Sequence, residues 1–269
     1  MSWVAHTSDG LSYLERPGNG PVLVLLHGIG SNAASFTPLL PHLPATLRVI
    51  AWNAPGYGGS APLAPTWPQA QDYASALDGL LDRARVPEFA LLGHSLGALI
   101  AASYAAGRAD RVSHLTLAAP AIGHGVPAGE ALSAPAQARI DDLERLGAED
   151  FAKARAPRLV HRPEDNPEAL ALVQTAMRRV SMPGYGQAAR MLASGRLLDD
   201  ADRLWVPTDV IVGAEDQVTP PEGARRVHDR LHAKARGTYT ELPGLGHALY
   251  QQDPVRFAKA LRQTAAAVV

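Results

Sequence analysis

The chain has 269 residues, 46% of them hydrophobic and 19% charged, with a formal net charge of −1. A balance this close to neutral gives no reason to expect nucleic acid or an anionic membrane as partner. The absence of cysteine excludes disulfides, thiolate catalysis and cysteine-ligated metals, and the length suits one large domain or a domain with an inserted subdomain.

The first residues, Met1 to His6, show no basic segment followed by an apolar one, and no apolar stretch approaches the ~20 residues that cross a bilayer. A soluble, cytoplasmic protein is the expectation. Residues 2–6 and 11–16 read as strands joined at Asp9-Gly10, a hairpin signal. Residues 21–26 are continuously apolar, as in a strand buried on both faces. They run into His27-Gly28-Ile29-Gly30, a loop whose glycines let the backbone pass close to a neighbour. A helix is expected at 35–43, a strand at 47–52, a glycine-rich loop from Pro55 to Ser60 and a helix at 68–85. Strands at 89–92 and 112–118 flank a further helix.

This alternation argues for a mostly parallel sheet covered on both faces. It breaks after Pro120. Helical segments near 134–147, 149–154, 167–180 and 187–193 have no strand between them. The alternation resumes with a strand at 208–212, a helix at 222–231, a strand at 238–242 and a last helix. That helix is capped by Asp253-Pro254 and runs to about residue 267. The expectation is an α/β fold with eight strands, a core of residues 1–120 and 195–269, and a helical insertion of residues 121–194 after the sixth strand.

Gly93-His94-Ser95-Leu96-Gly97 stands between an apolar strand and a nearly unbroken apolar helix. Gly-x-Ser-x-Gly alone is commonplace, and the flanking strand and helix are what make it informative. A strand that turns this sharply into a helix strains the middle residue and exposes its side chain. Ser95 is thereby presented at the carboxyl end of the sheet, and the Leu96 N–H can meet a developing oxyanion. Serine is a weak nucleophile unless an imidazole takes its proton and a carboxylate orients that imidazole. In an open parallel sheet such groups lie on loops after strands. Asp216 follows the strand ending at Val212, and His247 follows the strand ending at Leu242.

With these residues in place the chain resembles an α/β-hydrolase of the esterase, lactonase and C–C hydrolase type over essentially its whole length. The resemblance rests on His27-Gly28-Ile29-Gly30, Pro55-Gly56-Tyr57-Gly58-Gly59-Ser60, Gly93-His94-Ser95-Leu96-Gly97, Gly213-Ala214-Glu215-Asp216-Gln217-Val218-Thr219-Pro220 and Gly244-Leu245-Gly246-His247. It implies Ser95 as nucleophile, His247 as general base and acid, Asp216 as its orienter, the Ile29 and Leu96 N–H groups as oxyanion hole, and the helical insertion as a cap. His94 and His27 read as packing and bracing residues, His124 at the start of the cap as a surface residue with a pocket-lining place as the alternative, and Glu215 as turned away from the imidazole.

Ser95 argues against the dehalogenase and epoxide-hydrolase relatives, which use aspartate. Gly30-Ser31-Asn32 and Ala248 depart from the pattern of the meta-cleavage C–C hydrolases. Carboxylesterases and enol-lactonases remain the nearest resemblance. Acyltransferase, cofactor-free oxygenase or perhydrolase, and small-molecule receptor are the other roles the same fold serves. Gly28, Met177, Met182 and Tyr185 are the candidate substrate-contacting residues, although cap methionines and aromatics also serve simply to pack cap helices together. Arg178-Arg179 reads as a solvated face rather than a carboxylate grip. A small ester or lactone is the expected substrate, with no metal or cofactor needed; a homo-oligomer stays compatible with the sequence.

Overall fold

The structure, a computed structural model, describes residues 3–264. Eight strands form one sheet: β1 Val4–Ser8, β2 Leu11–Arg16, β3 Val22–Leu26, β4 Arg48–Trp52, β5 Phe89–His94, β6 Val112–Ala118, β7 Thr208–Gly213 and β8 Arg236–Leu242. Their spatial order is β1-β2-β4-β3-β5-β6-β7-β8. β1 and β2 pair antiparallel, as do β2 and β4, and β3 to β8 run parallel. The central strands are apolar along their length because both faces are covered. Val24, Leu26, Ile50, Trp52 and Leu91 pack on one face, and Leu23, Leu25, Val49, Ala51 and Leu92 on the other. This is the period-two alternation of a pleated strand with neither face in water.

Helices α1 (Ala70–Arg83), α2 (Leu96–Gly107) and α7 (Pro221–Arg230) bury Leu77, Leu99 and Val227 on the first face. The opposite face is covered by a 3-10 helix at Ala33–His42, a short α8 (Leu249–Gln252) and α9 (Pro254–Thr264), through Phe36, Tyr250 and Phe257. The expected α-helix at 35–43 is thus a 3-10 segment. Pro38 and Pro41 lie inside it and supply no backbone N–H for an α-helical ladder. In α9 the Asp253 carboxylate accepts from the Arg256 N–H at 2.9 Å, as a cap; the stretch of this helix expected beyond residue 264 lies outside the described residues, as does Ser2 of the first strand.

Between β6 and β7 come α3 (Ala134–Arg155), α4 (Pro167–Met177), α5 (Gly184–Ser194) and α6 (Leu197–Ala201). The two helices expected at 134–147 and 149–154 join across Gly147, whose φ of 70° and ψ of 165° bend the chain between them. α6 and α8 have no expected counterpart, because four- and five-residue helices leave no periodic pattern to read. The Pro55–Ser60 loop docks on the start of α5 with Gly56 against Gly184; a Cβ on Gly56 would stand 2.4 Å from the Gly184 Cα. Among the described residues no helix is long and apolar enough to cross a membrane.

Candidate active site

Ser95 sits between β5 and α2 with φ 55° and ψ −114°, a strained backbone for a residue bearing a Cβ. The surroundings hold it there. Its N–H donates to the Ala118 carbonyl at 2.9 Å, and its own carbonyl accepts from the Ala98 N–H at 3.0 Å and the Ala121 N–H at 3.2 Å. The turn closes only because glycine flanks it. A Cβ on Gly93 would lie 2.3 Å from the Gly97 carbonyl oxygen, and one on Gly97 would lie 2.4 Å from the Leu26 carbonyl oxygen.

His247 and Asp216 come together from the loops after β8 and β7. Imidazole Nδ1 and carboxylate Oδ2 are 2.8 Å apart, and both side chains are almost wholly buried. The other carboxylate oxygen accepts from the Val218 N–H at 2.7 Å and the Thr219 N–H at 2.9 Å. The Thr219 hydroxyl is 2.9 Å from Asp216 Oδ2 and 3.1 Å from His247 Nδ1. Burial pushes the Asp216 pKa up, but His247 and these backbone N–H groups outweigh it, and the net shift is downward. An ionised Asp216 holds the imidazole proton on Nδ1 and leaves Nε2 as the lone-pair nitrogen. Glu215 makes no bond to His247; its own N–H donates to the Leu245 carbonyl.

Gln252 fixes the loop that carries His247. Its side-chain oxygen accepts from the N–H groups of Gly246 (3.0 Å) and His161 (3.1 Å), and its amide donates to the His161 carbonyl (3.0 Å). Nothing in the sequence marked this bridge, since a lone glutamine in a short helix carries no signal. His94 donates from Nε2 to the His247 carbonyl at 2.9 Å. The Ala54 N–H donates to His27 Nε2 at 3.1 Å, so His27 carries its proton on Nδ1 toward the Gly28 carbonyl at 2.9 Å.

Burial lowers His27 to about 4 and His94 to about 3, the latter helped by neighbouring His247. Both are neutral in the folded chain at pH values where an unfolded histidine, with pKa ~6.5, takes up a proton. Their contribution to stability is full above pH ~6.5 and is lost as the pH falls toward 3. The thermal midpoint is therefore expected to drop steadily from pH 6.5 to 4. A midpoint flat across that window would contradict the burial of two neutral imidazoles.

The loop after β3 crosses directly over Ser95. A Cβ on Gly28 would stand 2.9 Å from the Ser95 Cβ and 3.0 Å from His94 Nδ1. Among the described residues neither the Ile29 nor the Leu96 N–H has a backbone acceptor, the latter being the first residue of α2. Asn53, on the loop after β4, supports this region. Its oxygen accepts from the Ala33 N–H at 2.9 Å, while its amide donates to the Ser12 hydroxyl at 2.9 Å and the Gly58 carbonyl at 3.3 Å. An aspartate there would have no hydrogen to donate to either.

Ser95 and His247 open onto a cavity of about 260 Å³. Ile29, Ile122, Leu159, Met177 and Leu192 make its apolar wall, and Tyr185 and His124 also reach it. Of the candidate substrate-contacting residues, Met177 and Tyr185 line this cavity. Gly28 lies beneath, against Ser95. Met182 is off the cavity wall: it precedes α5 and folds over the start of that helix, where its Cε would be 2.7 Å from a Cβ on Gly186. Arg178 pairs with Glu149 at 3.1 Å, away from the cavity. Three other arginines, Arg139, Arg155 and Arg158, do line it, and spacing along the sequence gave no hint of that convergence.

The description Alpha/beta hydrolase family matches residues 23–260. The chain belongs to that family and is a hydrolase. It is 31% identical over 215 residues to a pimeloyl-[acyl-carrier protein] methyl ester esterase of Neisseria meningitidis serogroup B (strain H44/76), covering 77% of this chain and 79% of the relative. It is 26% identical over 255 residues to the (E)-2-((N-methylformamido)methylene)succinate hydrolase of Acinetobacter baylyi, covering 93% and 92%. Among solved structures, the enol-lactonase from Burkholderia xenovorans LB400 superposes with a TM-score of 0.83 at 24% identity, over 97% of this chain and 98% of that one. That last likeness shows the fold, including its eight-stranded, mostly parallel sheet.

Proposed function

We propose that this hydrolase cleaves a carboxylic ester or lactone through an acyl-enzyme on Ser95. The observation that carries the reading is the hydrogen-bonded His247–Asp216 pair on the same cavity as a serine held in a strained strand-to-helix turn. In the mechanism, the Ser95 hydroxyl attacks the substrate carbonyl and gives its proton to His247 Nε2. The carbonyl oxygen becomes an oxyanion that accepts from the Ile29 and Leu96 N–H groups. Collapse breaks the bond to the leaving alcohol or enol, which takes the proton back from His247. A water then attacks the acyl-enzyme with His247 as base, and the carboxylic acid leaves. Asp216 keeps the imidazole tautomer and stays ionised throughout.

Residues 121–194 act as a cap on the core made by 1–120 and 195–269, supplying Met177, Tyr185 and Leu192 to the acyl side of the cavity. A cavity of about 260 Å³ is at or below the small end of ligand sites, which favours short substrates. The test is turnover of a p-nitrophenyl ester series from acetyl to decanoyl, with a maximum expected at short acyl chains. No turnover of any member, nor of a simple lactone, by folded protein would overturn the reading.

The hole is expected to be sensitive to Gly28→Ala. The added methyl meets the Ser95 Cβ at 2.9 Å and pushes the Ile29 N–H off its line. Removing one oxyanion donor typically costs ~10²–10³ in kcat. A loss of that size with an unchanged circular-dichroism spectrum is the expected result; full activity would place the second donor elsewhere.

A further inference from the structure

We infer that the substrate carries a carboxylate, held at the cap side of the cavity by Arg158 and Arg139; this rests on the ester-hydrolase reading above and names its substrate class. Among the described residues the cavity lining holds three arginines and not one aspartate or glutamate, in a chain with 25 basic and 26 acidic residues. The convergence is therefore local and not a consequence of overall charge.

The three arginines are not equivalent. Arg155 is already matched: its guanidinium pairs with Asp142 at 3.0 Å and lies over the Phe151 ring, 5.1 Å from the centroid. Arg139 lies beside the Tyr185 hydroxyl, and Arg158, an exposed residue, stands on the 3-10 turn Ala156–Leu159 that follows α3; neither has a carboxylate partner among the described residues. Two guanidinium groups without a carboxylate partner on one partly apolar cavity can take a planar anion between them. Ile29, Ile122, Leu159 and Met177 line the same cavity as Ser95 and the arginines, which suits methylenes between the scissile carbonyl and the anionic end. The substrate class is thus the monoester of a short dicarboxylic acid, or the lactone of one that carries a hydroxyl or enol.

The experiment compares monomethyl adipate with methyl hexanoate, which share chain length and differ in the terminal carboxylate. The parent is expected to prefer the charged ester in kcat/KM by roughly tenfold or more, the scale of a hydrogen bond to a charged group. In Arg158→Gln that ratio collapses toward one, mainly through KM, and Arg139→Gln lowers it further. Equal turnover of the two esters by the parent, or a ratio untouched by both substitutions, overturns the inference while leaving the esterase reading intact. Calorimetry with adipate on Ser95→Ala supplies a readout free of chemistry. Binding that weakens tenfold when Arg158→Gln is added supports the anion site even if neither ester is hydrolysed, in which case the esterase reading falls alone. No adipate binding overturns the site.

Discussion

Ser95→Ala is expected to lower kcat for any ester substrate by roughly 10⁵–10⁶-fold, the scale seen when a triad nucleophile is removed. The fold should not notice. The backbone of residue 95 is held by hydrogen bonds from its own N–H and to its own carbonyl, and an alanine carries the same Cβ into the same φ of 55°. Substrate binding should persist, because the cavity wall and the free N–H groups of Ile29 and Leu96 are untouched. Steady-state turnover, thermal midpoint and product inhibition together separate this from simple unfolding. An activity within tenfold of the parent would mean that another group carries the chemistry.

Asp216→Asn should cost ~10⁴ in kcat, the scale of a triad whose imidazole is held in the wrong tautomer. The geometry dictates which way the amide lies. The Val218 and Thr219 N–H groups donate to Oδ1, so the amide oxygen stays there and the NH₂ takes the place of Oδ2, 2.8 Å from His247 Nδ1. That NH₂ donates to Nδ1 and drives the imidazole proton to Nε2, the atom that must accept from Ser95. Because Asn is nearly the shape of Asp, packing is preserved and the loss is one of protonation. Kinetics alongside imidazole proton chemical shifts check this: the Nδ1–H signal of the parent is expected to vanish in the variant. A variant that keeps the parent rate would remove Asp216 from the mechanism.

Local patterning made most of the frame legible. The buried strands are continuous apolar runs, and glycines mark where the Ser95 turn and the loop after β3 pack closely against their neighbours. Asp216 and His247 each follow such a strand, which is why the sequence offers three residues far apart along it as one candidate site. What stayed hidden depends on packing across the chain. The segment at Ala33–His42 has helical spacing, yet its two prolines force a tighter coil. α6 and α8 are too short to carry a period. The Gln252 bridge joins residues about ninety positions apart. Met182 and Met177 look alike as sequence, but only Met177 faces the cavity, because the turn into α5 folds Met182 back on Gly186. Arg139, Arg155 and Arg158 converge through the bend at Gly147, which joins two helices that the sequence reads as separate.

Ser95 is the proposed nucleophile of an acyl-transfer reaction. The most direct test is intact-mass and peptide-level mass spectrometry after incubation with a fluorophosphonate, which phosphonylates an activated serine with loss of fluoride. One adduct per chain is expected, located on the peptide containing Ser95, absent in Ser95→Ala and strongly slowed in Asp216→Asn. Labelling at another residue, or none in folded protein, would contradict it.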